Sequence, residues 1–378
     1  MKRIIYLILI AFLLTSCSQP QQNEETNPTE ENTVSNEEII SNIENYLNEN
    51  KDTLSDFKII NEDYMVTLLD QSTSIEEPSY KIDVVNVKEN IVEESFQDVY
   101  IQYRFYGLEV IRLKTIDNGF YFFDSEAVNI YTTDSKEMKK IPIDSPSLDM
   151  YTTPCIAVSN DGQKIAFTKM NVHDFSDKKV ILKDLSKESE EIIWSSEQHP
   201  YSSIINLSFN SDGTKIYFAK MADNHDYYGS ISLDNLDYEE TQLDNLLFYF
   251  NHGQVLIGGN ENLYTGQPSR KDIISLSENP VAIQADGNNE SMRISMNGLG
   301  NAFITTSYVL SADNEFADFT KKLYVDDQLI ASYTPEDMNR DSFRYGDTFI
   351  EEVDPYRSAV YVIIYSNENE SEITTLNY

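Results

Sequence analysis

The chain contains 378 residues and carries a formal net charge of −36 at pH 7, with 64 acidic residues against 28 basic ones. Binding to nucleic-acid phosphates or to anionic lipid headgroups requires a basic surface, so this balance excludes nucleic acid as a partner and excludes direct adhesion to an anionic membrane. The acidity is typical of a protein kept soluble in an anionic envelope, and it leaves cations and basic proteins as partners that the charge allows.

The first sixteen residues have the three regions of a secretory signal peptide. Lys2 and Arg3 are followed by an unbroken apolar run, residues 4–14, and then by two small residues. A membrane-spanning helix needs about 20 apolar residues, so this run is too short to remain as an anchor. Residues 1–16 are therefore predicted to be removed during export, which takes two positive charges from the chain.

The tetrapeptide at positions 14–17, Leu-Thr-Ser-Cys, resembles the lipobox of bacterial lipoproteins. The resemblance implies that Cys17 becomes the first mature residue and carries lipid on its thiol, which holds the chain on the extracytoplasmic face of the cell membrane. Two or more acyl chains anchor a protein stably where one does not. The alternative is an ordinary signal peptide with an incidental cysteine. Cys155 is the other cysteine of the chain, so we expect no intramolecular disulfide.

Residues 17–36 form a polar segment rich in Gln, Asn, Glu, Thr and Pro, with Val34 as its one large aliphatic residue. Such a composition cannot bury enough apolar surface to offset the entropy of ordering it. We expect a disordered, flexible tether between the lipid and the folded body.

A short amphipathic helix is predicted over residues 37–50. Ser35 and Glu38 have the spacing of a capping box, which satisfies backbone groups at the start of a helix. Apolar residues then recur at helical spacing. They form one stripe: Ile39, Ile40, Ile43, Tyr46 and Leu47. We expect the stripe to pack on the main domain, and docking of a partner on this helix is the alternative.

Residues 57–378 consist of short runs rich in Ile, Val, Tyr and Phe, separated by Asn, Asp, Gly and Ser. This texture predicts an all-β body. Within it, residues 156–170 align without a gap on residues 207–221, and the two segments read IAVSNDGQKIAFTKM and LSFNSDGTKIYFAKM. Seven positions are identical. A match this dense indicates a structural repeat.

The repeated residues have a physical reason for their positions. Asp161-Gly162 and Asp212-Gly213 each predict a tight turn between antiparallel strands, in which glycine takes a positive φ and aspartate accepts hydrogen bonds from nearby amides. Residues two apart in the strand that follows, such as Ile165 and Phe167, share one face. We expect that face to be buried between neighbouring sheets.

Weaker copies of the repeat can be placed by the same template. They are Asp117-Asn118-Gly119, Asn251-His252-Gly253 and the segment 295–300. The glycines of the five copies are separated by 40 to 51 residues. Blades of a β-propeller recur at about 40 to 50 residues, each as a four-stranded sheet.

The Asp-Gly copies resemble the WD40-like propeller repeats of the family that includes the C-terminal domain of TolB, in which the signature begins Ser-Pro-Asp-Gly. Here Asn160 and Ser211 replace the proline. The resemblance implies an all-β fold, a β-propeller of six to eight blades with seven favoured, over residues 57–378. The alternative is a separate small α+β unit at 57–114 ahead of a shorter β array.

Motifs for catalysis and metal binding are scarce. The chain has no Gly-x-Ser-x-Gly elbow and therefore lacks the nucleophile of the prolyl-peptidase type of propeller enzyme. It also has no Cys-x-x-Cys, no His-Glu-x-x-His and no calcium loop. His173-Asp174 and His225-Asp226 follow Gly162 and Gly213 at nearly equal distances, so equivalent loops could bring them together around a divalent cation. The alternative is that both pairs are solvated hairpin tips.

Two interpretations of function compete. The first is a cell-surface module that is not an enzyme and that binds or scaffolds an envelope protein or glycan through its propeller faces. The second is a metal-assisted lyase or hydrolase that acts on an envelope glycan or peptide. No cofactor is predicted, and the membrane is a partner through the lipid on Cys17.

Overall fold

The structure is a computed structural model, and it describes the chain in eighteen segments. They are residues 34–73, 78–101, 104–106, 109–111, 113–144, 155–169, 178–197, 202–222, 225–243, 246–251, 254–259, 274–275, 290–291, 302–310, 316–325, 328–333, 349–365 and 371–378. The predicted signal peptide and nearly all of the predicted tether lie outside these residues.

The first half of the β body contains three sheets and a hairpin. The first sheet has four strands, β1 to β4: Leu54–Ile59, Tyr64–Asp70, Tyr80–Asn86 and Ile91–Val99. The hairpin has strands β5 and β6: Arg104–Tyr106 and Glu109–Ile111. The second sheet has strands β7 to β10: Lys114–Ile116, Gly119–Phe123, Ala127–Thr132 and Glu137–Pro142. The third has strands β11 to β14: Ile156–Val158, Lys164–Lys169, Lys179–Asp184 and Ser189–Ser195.

Four further sheets follow. The fourth has strands β15 to β18: Ser202–Phe209, Lys215–Ala222, His225–Ser232 and Tyr238–Leu243. The fifth has strands β19 to β21: Leu246–Asn251, Gln254–Gly259 and Ile274–Ser275. The sixth has strands β22 to β25: Glu290–Ser291, Ala302–Leu310, Phe316–Val325 and Gln328–Tyr333. The last has strands β26 to β28: Phe349–Asp354, Ala359–Tyr365 and Ser371–Asn377.

Each of these sheets is an antiparallel meander of strands that follow one another in sequence. The first four sheets pack on one another in chain order through apolar side chains, and so does the sixth on the last. Ile165 and Phe167 of β12 form one buried cluster with residues of the second sheet such as Val128. Phe218 of β16 forms another with Val180 of the third sheet. Meanders stacked in chain order with buried faces are the architecture of a β-propeller, so the predicted all-β fold class is confirmed.

A helix, α1, spans Asn36–Asn50 and packs on the first sheet. Four residues of its predicted stripe are buried: Ile39, Ile43, Tyr46 and Leu47. The amide of Asn42 donates to the carbonyl oxygen of Val87 at 2.9 Å, and the hydroxyl of Tyr46 donates to Asp83 at 2.7 Å. The helix also contacts β28 of the last sheet. It therefore lies against both ends of the β body, which with α1 forms one compact unit from Asn36 to Tyr378.

Two details differ from the sequence-based prediction. The first strand begins at Leu54, before residue 57, because the Leu54 side chain is itself buried. In the weak copy at 117–119, the residue with positive φ is Asn118, and Gly119 is already the first residue of β8. Asparagine tolerates the left-handed region better than most residues, so this turn does not use its glycine as the template assumed.

Candidate functional site

The Asp-Gly turns of the third and fourth sheets are closed by their own side chains. Gly162 has a φ of +68° and its amide donates to the carbonyl oxygen of Ser159 at 2.8 Å. The carboxylate of Asp161 accepts from the amide of Gln163 at 3.0 Å. The aspartate therefore accepts a hydrogen bond from a backbone amide of the turn, and the glycine supplies the positive φ that the turn requires.

The corresponding turn in the fourth sheet is built in the same way. Gly213 has a φ of +66° and its amide donates to the carbonyl oxygen of Asn210 at 3.1 Å. Asp212 accepts from the hydroxyl and the amide of Thr214 at 2.5 and 2.9 Å. These hydrogen bonds hold the pKa of Asp212 below its ordinary value. Its carboxylate is exposed and ionised at neutral pH.

Neighbouring turns are bonded to each other across the sheets. The side-chain amide of Asn160 donates to the carbonyl oxygen of Ser211 at 3.3 Å. The ammonium group of Lys164 donates to the carbonyl oxygen of Gly213 at 2.8 Å. Lys164 belongs to the repeat, but its alignment with Lys215 gave no indication that it would reach the next turn. Sequence analysis therefore missed this residue as a link between sheets.

The same pattern extends backwards along the chain. The amide of Asp117, in the β7–β8 turn, donates to the carbonyl oxygen of Asn160 at 2.8 Å. The side chain of Asn61, in the β1–β2 turn, donates to the side-chain oxygen of Asn118 at 3.0 Å. Successive first-to-second-strand turns are thus held side by side.

The row also includes the last sheet. Arg357, in the β26–β27 turn, donates to the carbonyl oxygen of Glu62 in the β1–β2 turn. Five turns are therefore connected, at residues 60–63, 117–118, 159–163, 210–214 and 355–358, and we call their surface the turn face. Exposed acidic side chains on this face are Glu62, Asp117, Asp161 and Asp212.

The predicted pair His225-Asp226 lies at the other end of its sheet from the turn face. His225 and Asp226 are the first residues of β17 and pair with Ala222 and Met221 at the end of β16. They are therefore strand residues, whereas the sequence predicted a loop. His225 is exposed, and its Nδ1 lies 3.1 Å from the side-chain nitrogen of Gln242. His173 and Asp174 lie outside the described residues. Whether the two pairs approach each other stays a prediction.

Among the residues that the structure describes, no group of three or more His, Cys, Asp or Glu side chains has the geometry of a metal site. Within the same segments, no helix is long and apolar enough to cross a membrane. Cys17, the predicted lipidation residue, lies outside them. Cys155 is buried and forms no disulfide.

Comparison with known proteins identifies a lipid attachment site at the N-terminus and solved structures of similar fold. Residues 1–18 match the family model of the prokaryotic membrane lipoprotein lipid attachment site. No curated protein matches the sequence significantly.

Three solved structures illustrate the likeness of fold. The β-propeller domain of the Trilobed protease from Pyrococcus furiosus matches at 12% identity with a TM-score of 0.40, covering 85% of this chain and 80% of that one. Prolyl oligopeptidase B from Galerina marginata, bound to a 35mer hydrolysis and macrocyclization substrate, matches at 11% with a TM-score of 0.54, covering 89% and 52%. A structure from a study of two prolyl endopeptidases matches at 9% with a TM-score of 0.50, covering 90% and 52%. The chain spans about half the length of these prolyl peptidases.

These comparisons correct one prediction. The expectation that the chain is not an enzyme is contradicted by these matches, because the two prolyl peptidases named above share its fold. At this level of identity the likeness shows the fold alone. The lipid attachment site and the stacked meanders together establish that the chain is a lipoprotein with a β-propeller fold.

Proposed function

We propose that this chain is displayed on the extracytoplasmic face of the membrane by lipid on Cys17 and binds an envelope protein or glycan at its turn face. The observation that carries the proposal is the hydrogen-bonded row of turns. Loops on a rigid scaffold are the usual location of binding residues. Here the loops are tied to each other, so their exposed side chains are held in a fixed arrangement.

The charge of the turn face favours a partner with basic groups. Glu62, Asp117, Asp161 and Asp212 are exposed on consecutive turns, and the turn bonds at Asp161 and Asp212 fix their carboxylates in place. A preformed acidic surface steers a basic partner and selects against acidic ones. Because the turn-face side chains are already ordered before binding, binding loses little affinity to conformational entropy of this protein.

The test compares capture of envelope material by two variants of equal charge. The first carries neutral amides at the turn face: Glu62→Gln, Asp117→Asn, Asp161→Asn and Asp212→Asn. The control carries four such changes on the outer strands: Glu137→Gln, Glu190→Gln, Glu191→Gln and Glu239→Gln. We expect the wild type and the control to retain the same partner from membrane extract and the turn-face variant to lose it. Equal capture by all three proteins would contradict the proposal.

A second candidate function is hydrolysis of an envelope peptide or glycan. It is supported by the likeness of fold to prolyl oligopeptidase B, with a TM-score of 0.54 over 89% of this chain. For a metal-assisted version the side chains that the sequence offers are His173, Asp174, His225 and Asp226. Imidazole and carboxylate groups are ordinary ligands of zinc, which activates water for hydrolysis.

This candidate predicts turnover of a labelled peptide or wall glycan by purified protein, abolished by a chelator and by His225→Ala. His252→Ala is the matched control, because that histidine belongs to neither pair, and it should leave the rate unchanged. Divalent metal at well below one equivalent per chain, measured by elemental analysis, would exclude the metal-assisted version.

A further inference from the structure

The first and last sheets meet at a junction where, among the described strands, none belongs to both sheets. Each sheet consists of strands from its own stretch of chain, and β1 contacts β26 through side chains and hydrogen bonds. The amide of Ile59 donates to Oε1 of Glu352 at 2.9 Å. The rings of Phe57 and Tyr361 pack edge to face at 6.3 Å. We call this junction, residues 56–59 with 352–361, the seam.

At the seam, Lys58 forms ion pairs with two carboxylates. The ammonium group of Lys58 lies 2.9 Å from Oδ1 of Asp56 and 3.4 Å from Oε2 of Glu352. The Asp56 side chain retains 15% of its exposure, whereas that of Glu352 retains none. The shorter ion pair therefore belongs to the carboxylate that keeps some contact with water, and the fully buried carboxylate has only a share of the positive charge.

Among the residues that the structure describes, Lys58 is the one cation that forms an ion pair with Glu352. Tyr361 of β27 is its cross-strand neighbour, and the Tyr361 hydroxyl donates to Asp354 at 3.4 Å. Arg357 pairs with Asp354 at 2.6 Å and donates to the carbonyl oxygen of Glu62. The guanidinium charge is thus matched by another buried carboxylate.

These surroundings oppose ionisation of Glu352. Burial raises its pKa, Lys58 and the amide of Ile59 lower the pKa in part, and the negative charge of Asp56 raises it, so that the resulting pKa is about 8. A buried carboxylate without a full countercharge is among the most costly groups in a protein interior. The neutral carboxyl group still accepts the hydrogen bond from Ile59.

We propose that the seam is a proton-controlled latch: it is closed when Glu352 is neutral, and ionisation of this carboxyl group loosens the contact between the first and last sheets. In the open seam water reaches Glu352, which then ionises as an ordinary glutamate. The closed seam is therefore favoured in full at pH values below the ordinary pKa of glutamate. This preference is lost as the pH rises through the value of the closed state, about 8.

Hydrogen exchange of the lipidated protein in detergent micelles tests the latch. Peptides covering β1 and β26 are followed between pH 5 and pH 9, with rates corrected for the intrinsic effect of pH on exchange. Coupling to one proton predicts that the opening equilibrium constant rises by up to about tenfold per pH unit between the two pKa values. Glu352→Gln, which cannot ionise, should remove that rise.

Two further variants complete the design. Asp56→Asn leaves Lys58 to Glu352 alone, so the pH at which the rise levels off should fall, and this result remains informative if Glu352→Gln does not fold. Glu240→Gln, which removes the ion pair with Lys220 in the fourth sheet, is the control and should match the wild type. The latch is refuted by an unchanged pH dependence in Glu352→Gln, or by a shift in Asp56→Asn that is absent or upward.

Discussion

Two glycines of the repeat illustrate how single residues specify this fold. Gly162 and Gly213 lie at φ values where a Cβ atom costs about 1 to 2 kcal/mol. A Cβ atom at Gly162 would also lie 3.2 Å from Cδ1 of Ile116, whereas one at Gly213 would come no closer than 3.6 Å to Ser159. We expect Gly162→Ala to lower the free energy of unfolding by about 1 to 2 kcal/mol, and more than Gly213→Ala does, as measured by urea denaturation.

The control for this comparison is Ser211→Ala. Ser211 is exposed in the same turn as Gly213, and its carbonyl oxygen, not its hydroxyl, accepts from Asn160. The variant should stay within about 0.5 kcal/mol of the wild type. If all three substitutions had equal effects, the backbone conformation of the glycines would not be the cause.

At a different turn, Asp184 gives a prediction about acid stability. Its Oδ1 accepts from the hydroxyl of Ser186 at 2.6 Å, and the ammonium group of Lys187 lies 2.9 Å from Oδ2. The hydroxyl first, and then Lys187, lower the pKa of Asp184 to about 2 from an ordinary value of 3.8. The stability that this carboxylate contributes is therefore present above the ordinary value and is lost as the pH falls through about 2.

We expect Asp184→Asn to be less stable than the wild type by about 1 kcal/mol at pH 6, a value reduced for solvent screening of charges near the surface. The difference should disappear near pH 2. Urea denaturation at a series of pH values measures it, with Glu190→Gln on the adjacent strand as the control. A difference that stays constant from pH 6 to pH 2 would contradict the assignment.

Among the elements, α1 is held by its apolar stripe. Ile43 and Leu47 are fully buried, and replacing a buried isoleucine by alanine lowers the free energy of unfolding by about 2 to 5 kcal/mol through lost burial and the cavity left behind. We expect Ile43→Ala to destabilise the protein by this amount in urea denaturation. Ser41→Ala, an exposed change in the same helix, should have almost no effect. Equal stability of the two variants would show that α1 does not pack on the β body in solution.

The strands were predictable to the extent that local pattern determines them. The two Asp-Gly copies and the alternation after them predict the hairpins β11–β12 and β15–β16, because a turn and a period of two act over a few residues. Asn118 was missed because asparagine and glycine can both occupy the left-handed position, so the template could not decide between them. The His225 pair was expected in a loop, but pairing of β16 with β17 continues to Ala222 and His225.

For the whole molecule, lipid attachment gives the most direct prediction. Cys17→Ser should abolish incorporation of labelled fatty acid and should move the protein from the membrane fraction to the soluble fraction. Cys155→Ser is the matched control, because Cys155 is buried and far from the attachment site in sequence. It should keep both the label and the membrane location. Labelling of Cys17→Ser at the wild-type level would show that another residue carries the lipid.

The seam was beyond prediction from sequence. In the sequence, Glu352 is one of many acidic residues in segments predicted to form strands. Nothing in its local pattern indicates that it accepts a hydrogen bond from Ile59, 293 residues earlier. Its burial depends on the first sheet meeting the last, which is a property of the assembled molecule. The turn face has the same origin, because each link joins residues of different sheets.

The amino-acid sequence by itself determined the lipid attachment site, the helix and the repeating hairpins, and it predicts the leader, since these depend on hydrophobic runs, spacing and turn chemistry within a few residues. Tertiary structure alone decided which turns touch, that α1 lies against the first sheet and the last, and that Lys58 is shared between Asp56 and Glu352. Those contacts join residues far apart in the chain. They form only when burial of the apolar faces brings the sheets together, and no local signal encodes them.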